Sequence, residues 1–222
     1  MLISCLCPTR DRRPYIPLAI RAFQNQTYPN RELLILDDGD DPVLDLIPND
    51  PRIVYTRGAQ PPRTLGAKLN ALALTAHGQI CCNWDDDDWS SPDRLAHQYQ
   101  TLIRSQKQVT GFNAIFYWDT TTSRAHIWRW WGSKLYSCGS SHFYFTDWIL
   151  RNPMPDKTHC VDFDFSMHAE HNRQLTPESG LPYLVARYHH HSAWTKPLSK
   201  SGYKPVAKTS LPPQFFMDAG IT

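Results

Sequence analysis

The chain has 222 residues, 41% of them hydrophobic and 20% charged, and a formal net charge of +2. That length suits one domain with a sizeable core, and the near-neutral balance gives no electrostatic case for a nucleic-acid partner. No run approaches the roughly 18 apolar residues of a membrane span, and the apolar start at residues 1–7 is too short, and lacks the basic leader, for a signal peptide.

In chain order, residues 2–7 predict a buried strand, ended by Pro8, and residues 17–26 carry helical spacing with Leu18, Ile20, Ala22 and Phe23 available for one face. Residues 32–36 predict a second strand, stopped by Asp37-Asp38-Gly39, and residues 52–56 a short third. A helix is expected over 64–76, with Leu65, Leu69, Leu72 and Ala76 on one stripe and Gly78 ending it. Residues 80–84 predict a fourth strand, followed at once by Asp85, Asp86, Asp87 and Asp88, with Trp84 and Trp89 on either side. Ser91 as N-cap, Pro92 at the first helical position and Asp93 in the first turn mark the next helix.

The second half is less regular. Strands are expected over 109–118, 124–131, 142–146 and 183–189, and a helix over 164–172. From residue 192 on, Pro, Lys, Ser and Gly predict irregular structure or a flexible tail. Lys196, Lys200, Lys204 and Lys208 recur there as a solvated face or a phosphate- or lipid-facing patch. Short apolar strands alternating with helices predict an α/β fold with a largely parallel sheet covered on both faces. The carboxylates then fall at strand carboxyl ends, where such sheets bind ligands.

Four adjacent carboxylates repel one another. Enclosed by two indoles, they need either a cation or raised pKa values. Hard divalent ions such as Mg²⁺ or Mn²⁺ take oxygen ligands and share them with substrate phosphates, so the run predicts a metal–phosphate site. None of the six cysteines, Cys5, Cys7, Cys81, Cys82, Cys138 and Cys160, forms a CxxC pair, which argues against a zinc ribbon. Most lie in strand-like runs as small hydrophobes. The setting expected is reducing and cytoplasmic, with peripheral association at the inner face of a membrane left open.

Three blocks together resemble family 2 glycosyltransferases: Ile3-Ser4-Cys5-Leu6-Cys7-Pro8-Thr9-Arg10-Asp11, then residues 26–39 through Leu36-Asp37-Asp38-Gly39, then residues 78–88 with Pro92-Asp93-Arg94-Leu95. The resemblance covers about the first hundred residues. It implies a GT-A fold: a mostly parallel, Rossmann-like nucleotide-binding sheet flanked by helices (about 1–100), a smaller acceptor-binding half (about 101–195) and an irregular tail (about 196–222), all one domain. It implies inverting transfer of a sugar from a nucleotide diphosphate, UDP favoured, to an acceptor that is a saccharide, lipid-linked or a protein. Pro8, Thr9 and Arg10 would lie beside base and ribose, although Arg10 replaces the family's usual Tyr and Asp11 its usual Asn. Asp38 would accept from the base. Asp85 and Asp87 match the ends of the DxD motif as ligands of Mn²⁺ or Mg²⁺, with Asp88 toward the helix start or a metal-bound water and Asp86 toward the ribose.

Arg63 and Lys68 are candidates to pair with the phosphates; Lys68 has the rival reading of an exposed helix residue. Asp162 matches the family's catalytic base, with Val161 in place of the usual Glu. Asp164 is its rival, and a helix-capping role for one of them is the third option. In Tyr188-His189-His190-His191, His191 is the expected metal ligand, with His189 on the same face of an extended chain. Trp128-Arg129-Trp130-Trp131 offers rings for sugar stacking, for a membrane interface or for the core. Cys138-Gly139-Ser140-Ser141 resembles the acceptor loop. A nucleotidyltransferase, a non-catalytic metal- or nucleotide-sugar-binding protein and a metallohydrolase are the alternatives; the first usually carries a Gly-rich loop after the opening strand, where Pro8-Thr9-Arg10 has no glycine.

Overall fold

The computed structural model describes residues 1–61, 63–190, 198 and 202–220. Its first half follows the expected alternation. β1 (Ile3–Thr9), α1 (Ile16–Gln24), β2 (Arg31–Asp37), β3 (Ile53–Arg57), α2 (Leu65–Thr75) and β4 (Ile80–Asn83) succeed one another. The strands pair in parallel in the order β3-β2-β1-β4, with Ile3 opposite both Arg31 and Ile80.

Alternate side chains leave a strand on opposite sides, and both sides here are covered. Ile3, Cys5, Cys7, Leu33 and Ile35 meet Ile20 and Phe23 of α1 and Leu95 and Leu102 of α3 (Arg94–Ser105). Leu6, Leu34, Leu36 and Cys81 face the other way. They meet Leu69 and Leu72 of α2, Ile149 of α4 (Thr146–Arg151) and Phe165 of α5 (Val161–His171). Burial on both faces is why β1 and β2 read as unbroken apolar runs.

The second half is built on one long strand, β6 (Val109–Asp119). β8 (Phe143–Phe145) and β9 (Leu175–Ser179) border its start, and β7 (Arg124–Arg129) and β10 (Leu184–Tyr188) border its end. β8 lies antiparallel between β4 and β6 and joins the halves into an 11-stranded sheet. Here the sheet is mixed, since β7 and β8 run against β6 while β9 and β10 run with it. β5 (Trp89–Ser90) pairs antiparallel with β10, which ties the segment after the aspartate run to the second half.

Three local expectations are corrected. Irregular structure is expected beyond residue 196, yet β11 (Lys204–Val206) pairs with β7, and α6 is formed by Pro213–Ala219. Phe215 of α6, 0% exposed, is buried with Trp89 and Trp118, so a few apolar residues fix a segment rich in Lys, Ser and Pro. Lys204 and Lys208 are exposed, and Lys208 Nζ lies 5.3 Å from the Trp118 ring centroid. Lys196 and Lys200 lie outside the described residues.

Ser91 does not cap α3, which starts at Arg94. The cap comes from Gln26, whose Oε1 accepts from Leu95 N at 3.1 Å while its Nε2 donates to Ser91 O at 2.8 Å. Gly78 is not a left-handed cap of α2 either. It permits a close approach to β1: a Cβ there would fall 2.6 Å from Ser4 Oγ, to which Gly78 N donates at 2.9 Å. Among the described residues, no helix is long and apolar enough to cross a membrane.

Candidate active site

The aspartate run occupies the connection at the carboxyl end of β4. Both flanking indoles are anchored in the protein. Trp84 Nε1 donates to Ala19 O at 3.2 Å, and Trp89 Nε1 to Asp218 Oδ2 at 2.8 Å. With its ends fixed, the segment turns its carboxylates into a small volume, and one oxygen from each of Asp85, Asp87 and Asp88 lies within 4.8 Å of the others.

Burial, helped by the Asp87 charge, pushes Asp85 and Asp86 up to about 7. Burial and the charges of Asp87 and Asp85 raise Asp88 well above the usual carboxylate range. Asp87 goes the other way. Burial pushes it up, but the His189 hydrogen bond and the Arg12 guanidinium outweigh that and hold it below its ordinary value. The cluster keeps one firmly ionised member among three that resist ionisation.

The groups around it come from several elements. Arg12 Nη1 donates to Asp87 Oδ2 and lies 3.6 Å from Asp86 Oδ1. His189 Nε2 is 2.9 Å from Asp87 Oδ2, and its ring stacks on Tyr15 with centroids 4.3 Å apart. Arg187, two residues earlier, donates from Nη1 to Asp87 O at 2.7 Å and from its main-chain N to Asp88 Oδ1 at 3.1 Å. Thr9 Oγ1 donates to Asp86 Oδ2 at 2.6 Å.

Of the expected donor-side residues, Pro8 and Thr9 are buried at the end of β1. Arg10 points outward beside Asp11, its side chain 52% exposed, and Arg12 turns inward in its stead. The reversal needs Asp11 at φ 53° and Gly39 opposite, where a Cβ would fall 2.5 Å from Asp11 N. Asp38 is buried, accepting from Lys68 Nζ at 2.9 Å and from Arg63 N at 2.8 Å. Lys68 is therefore not an exposed helix residue, but its ammonium fixes Asp38 and the Thr9 carbonyl (3.1 Å) instead of standing open to phosphates. Arg63 contributes its main-chain N–H, and the residue is exposed.

The second-half aspartates separate clearly. α5 starts at Val161, three residues earlier than expected, and places Asp162 and Asp164 in its first turn. Cys160, at φ 56°, takes the cap position, so neither aspartate is the cap. Asp164 is exposed and pairs with Lys157. Asp162 is half-buried, and Tyr136 Oη donates to its Oδ2. It sits against Gly139, where a Cβ would come 2.7 Å from Asp162 Cβ, and Gly139 O accepts from Asn83 Nδ2 at 2.9 Å. The start of α5 is thereby docked on the end of β4, and the Asp162 charge adds to the upward pressure on Asp85.

His191 lies outside the described residues; His189 Nε2 reaches the Asp87 carboxylate. Sequence reasoning missed Arg12, Tyr15, Tyr136 and Arg187. For Arg187 a signal existed, since it lies two residues before His189 and on the same side of an extended chain.

Residues 4–173 match the family model described as Glycosyl transferase family 2. A putative colanic acid biosynthesis glycosyl transferase of Escherichia coli is 33% identical over 113 residues, 47% of this chain and 40% of that protein. An uncharacterized glycosyltransferase of Haemophilus influenzae is 30% identical over 122 residues, 52% of this chain and 48% of that protein. The chain spans about half or less of these relatives' length. Among solved structures, S. aureus TarS in complex with UDP-GlcNAc superposes with a TM-score of 0.70 at 17% identity, over 86% of this chain and 60% of that one. The mannosyltransferase PcManGT from Pyrobaculum calidifontis, in complex with GDP-Man and Mn²⁺, superposes with a TM-score of 0.61 at 14% identity, over 84% and 56%. These likenesses establish a shared GT-A fold, and the match over residues 4–173 establishes the family: the chain belongs to glycosyl transferase family 2.

Proposed function

We propose that the chain is a metal-dependent, inverting glycosyltransferase that moves a sugar from a nucleotide-diphosphate donor, UDP-linked by preference, to an acceptor hydroxyl. The observation that carries this reading is the convergence of Asp85, Asp87 and Asp88, with oxygens within 4.8 Å of one another. Several anionic oxygens in a low-dielectric pocket fit a hard divalent ion. Asp85, Asp87 and Asp88 would hold Mn²⁺ or Mg²⁺, with His189 beside Asp87. When bound, the ion neutralises charge on the departing diphosphate. The nucleotide-sugar complexes of the two structural neighbours support the donor class.

The chain's own residues divide the remaining work. Pro8, Thr9 and Asp38 wall the base and ribose side, with Lys68 fixing the Asp38 carboxylate. Asp86, held by Thr9, is directed to the ribose. Arg12 and Arg187 are the guanidiniums beside the carboxylates and take the place expected of Arg63 and Lys68 toward the phosphates. Asp162 is the base in preference to Asp164, because it is half-buried, hydrogen-bonded by Tyr136 and near enough for its charge to bear on Asp85, whereas Asp164 is exposed and paired with Lys157. In the reaction, the acceptor hydroxyl gives its proton to Asp162 while its oxygen bonds to the anomeric carbon. The bond from that carbon to the diphosphate oxygen breaks, and its electron pair leaves with the nucleoside diphosphate.

No observation favours nucleotidyl transfer, and a non-catalytic binding protein has no use for a base held by a tyrosine. The direct test is thermal unfolding with Mn²⁺ plus each common nucleoside diphosphate. A ligand that binds only the native state raises the melting temperature, by about 2.7 kcal/mol of added stability at a hundred times its Kd. Asp87→Ala should remove the Mn²⁺-dependent part of that shift. Absence of any shift in the wild type defeats the donor reading, and a product with retained anomeric configuration defeats inversion.

A further inference from the structure

We infer that the acceptor is a saccharide, and that it binds on an aromatic platform of Trp130, Trp131 and Phe163 built directly onto Asp162. The inference rests on Asp162 being the base of the proposed transfer. Tyr136 is the hub. Its hydroxyl donates to Asp162 Oδ2, its ring lies 4.6 Å from that of Trp130 and 6.1 Å from that of Phe163, and it is itself buried. Trp131 then stacks on Trp130, with centroids 5.9 Å apart and planes within 21°.

The outer members are open. Trp131 is 82% exposed and Phe163 44% exposed. Large aromatic side chains usually take their place in a core or interface, so rings held out beside a reaction centre imply a ligand surface. The turn that presents them is specifically built. Trp130 Nε1 donates to Lys134 O at 2.6 Å, and a Cβ on Gly132 would fall 2.3 Å from Trp130 Cζ2, so only glycine lets the indole lie across this turn.

Position decides the ligand's chemistry. Whatever meets these rings must also bring a hydroxyl to Asp162, which follows Tyr136 beneath Trp130 and precedes Phe163 in the chain. A sugar ring does both: its axial C–H groups present a flat apolar face to an indole, and hydroxyls line its edge. An acyl chain satisfies the rings but brings no nucleophile. A serine-bearing peptide brings the nucleophile but has no flat face to stack.

The test is isothermal titration of the full chain with hexasaccharides of glucan, chitin, mannan, galactan and uronan type. At least one should bind, and Trp131→Ala and Phe163→Ala should each weaken it about tenfold, with Trp131→Phe retaining most of the affinity. Because both rings are exposed, these variants should fold normally and keep the melting shift given by Mn²⁺ with UDP. The inference is overturned if none of the saccharides binds, if both alanine variants bind as the wild type does, or if Trp131→Ala abolishes binding to phosphatidylglycerol–phosphatidylcholine vesicles while no saccharide binds. Loss of the Mn²⁺–UDP shift in the wild type would instead count against the donor site, leaving the platform to be judged by the saccharide titration.

Discussion

Arg94 offers the sharpest test of how the two halves of the site are held together. It is 1% exposed and lies over the Trp84 ring, 5.1 Å from its centroid. Its Nε donates to Gln98 Oε1 (3.1 Å), its Nη1 to Ser90 Oγ (2.8 Å), and its Nη2 to both Asn83 O (3.0 Å) and Ser140 O (2.6 Å). Asn83 O is the last carbonyl of β4, one residue short of the aspartate run, and Ser140 O belongs to the turn against which Asp162 is docked. Arg94→Met keeps much of the volume but leaves Ser140 O without its guanidinium donor and Asn83 O with only the weak Cys82 thiol at 3.4 Å. Each such loss costs about 1–3 kcal/mol, the buried Gln98 and Ser90 acceptors lose their donor as well, and relief from desolvating the guanidinium offsets part of the total. The net expectation is a loss of about 4 kcal/mol, a large share of the ~5–15 kcal/mol of a folded domain. At about 2–4 °C per kcal/mol for a chain of this size, that lowers the melting temperature by roughly 8–16 °C. Urea unfolding followed by both tryptophan fluorescence and circular dichroism measures it. A loss below about 1 kcal/mol would show that Arg94 is not the cross-brace, and that the halves are held by the sheet alone. Arg94→Lys should recover only part of the loss, since an ammonium lacks the fork that spans both carbonyls.

Asp162→Asn should lower kcat by about 10²–10⁴-fold and leave the Mn²⁺–UDP melting shift intact; near-normal turnover would move the base to Asp164. The raised carboxyls set a pH dependence. With Asp85 and Asp86 titrating at about 7 in the fold and near 3.9 when unfolded, the metal-free folded state binds more protons between those values. Its stability therefore falls as pH rises from about 4 to about 7. Mn²⁺ needs the ionised carboxylates, so its affinity should rise over the same range with release of protons. Melting temperatures at pH 5 to 8, with and without Mn²⁺, should show opposite slopes in the metal contribution and the metal-free baseline; parallel curves would refute the assignment. Phe215→Ala, which empties a fully buried site against Trp89 and Trp118, should cost about 3–5 kcal/mol; a urea midpoint within error of the wild type would show that α6 is dispensable.

What could be read from the sequence follows how local each signal is. β1, β2 and β4 are apolar on both faces, so their runs stand out whatever they pair with. The second half gives weaker signals because its strands answer to partners far along the chain. β6 changes neighbours midway, and β9 and β10 join it in parallel from sixty residues away or more. α6 was hidden for a related reason: Phe215 makes helix only because Trp89 and Trp118 wait to receive it. Caps failed likewise, since Gln26, a residue from another helix's end, does for α3 what Ser91 was expected to do.

At the site, the carboxylates were legible and their counter-charges were not. A run of four aspartates is visible in any reading, but which cations meet it depends on how the β1–α1 loop turns back. Asp11 in a left-handed conformation exchanges Arg10 for Arg12, an exchange that two arginines so close in sequence do not announce. The structure then sets the balance of charge. Four carboxylates face two guanidiniums, Arg12 and Arg187, with His189 hydrogen-bonded to the one carboxylate held below its ordinary pKa. Arg94 also bears on Asp85, yet among the described residues burial and mutual repulsion still prevail, and the fold alone answers by pushing Asp85, Asp86 and Asp88 toward protonation. A single divalent cation would answer the same repulsion while leaving all the carboxylates ionised. The proton-bound and metal-bound forms are thus alternative answers to one electrostatic problem, which is why the pH slope with and without Mn²⁺ discriminates more sharply than the presence of acidic residues does.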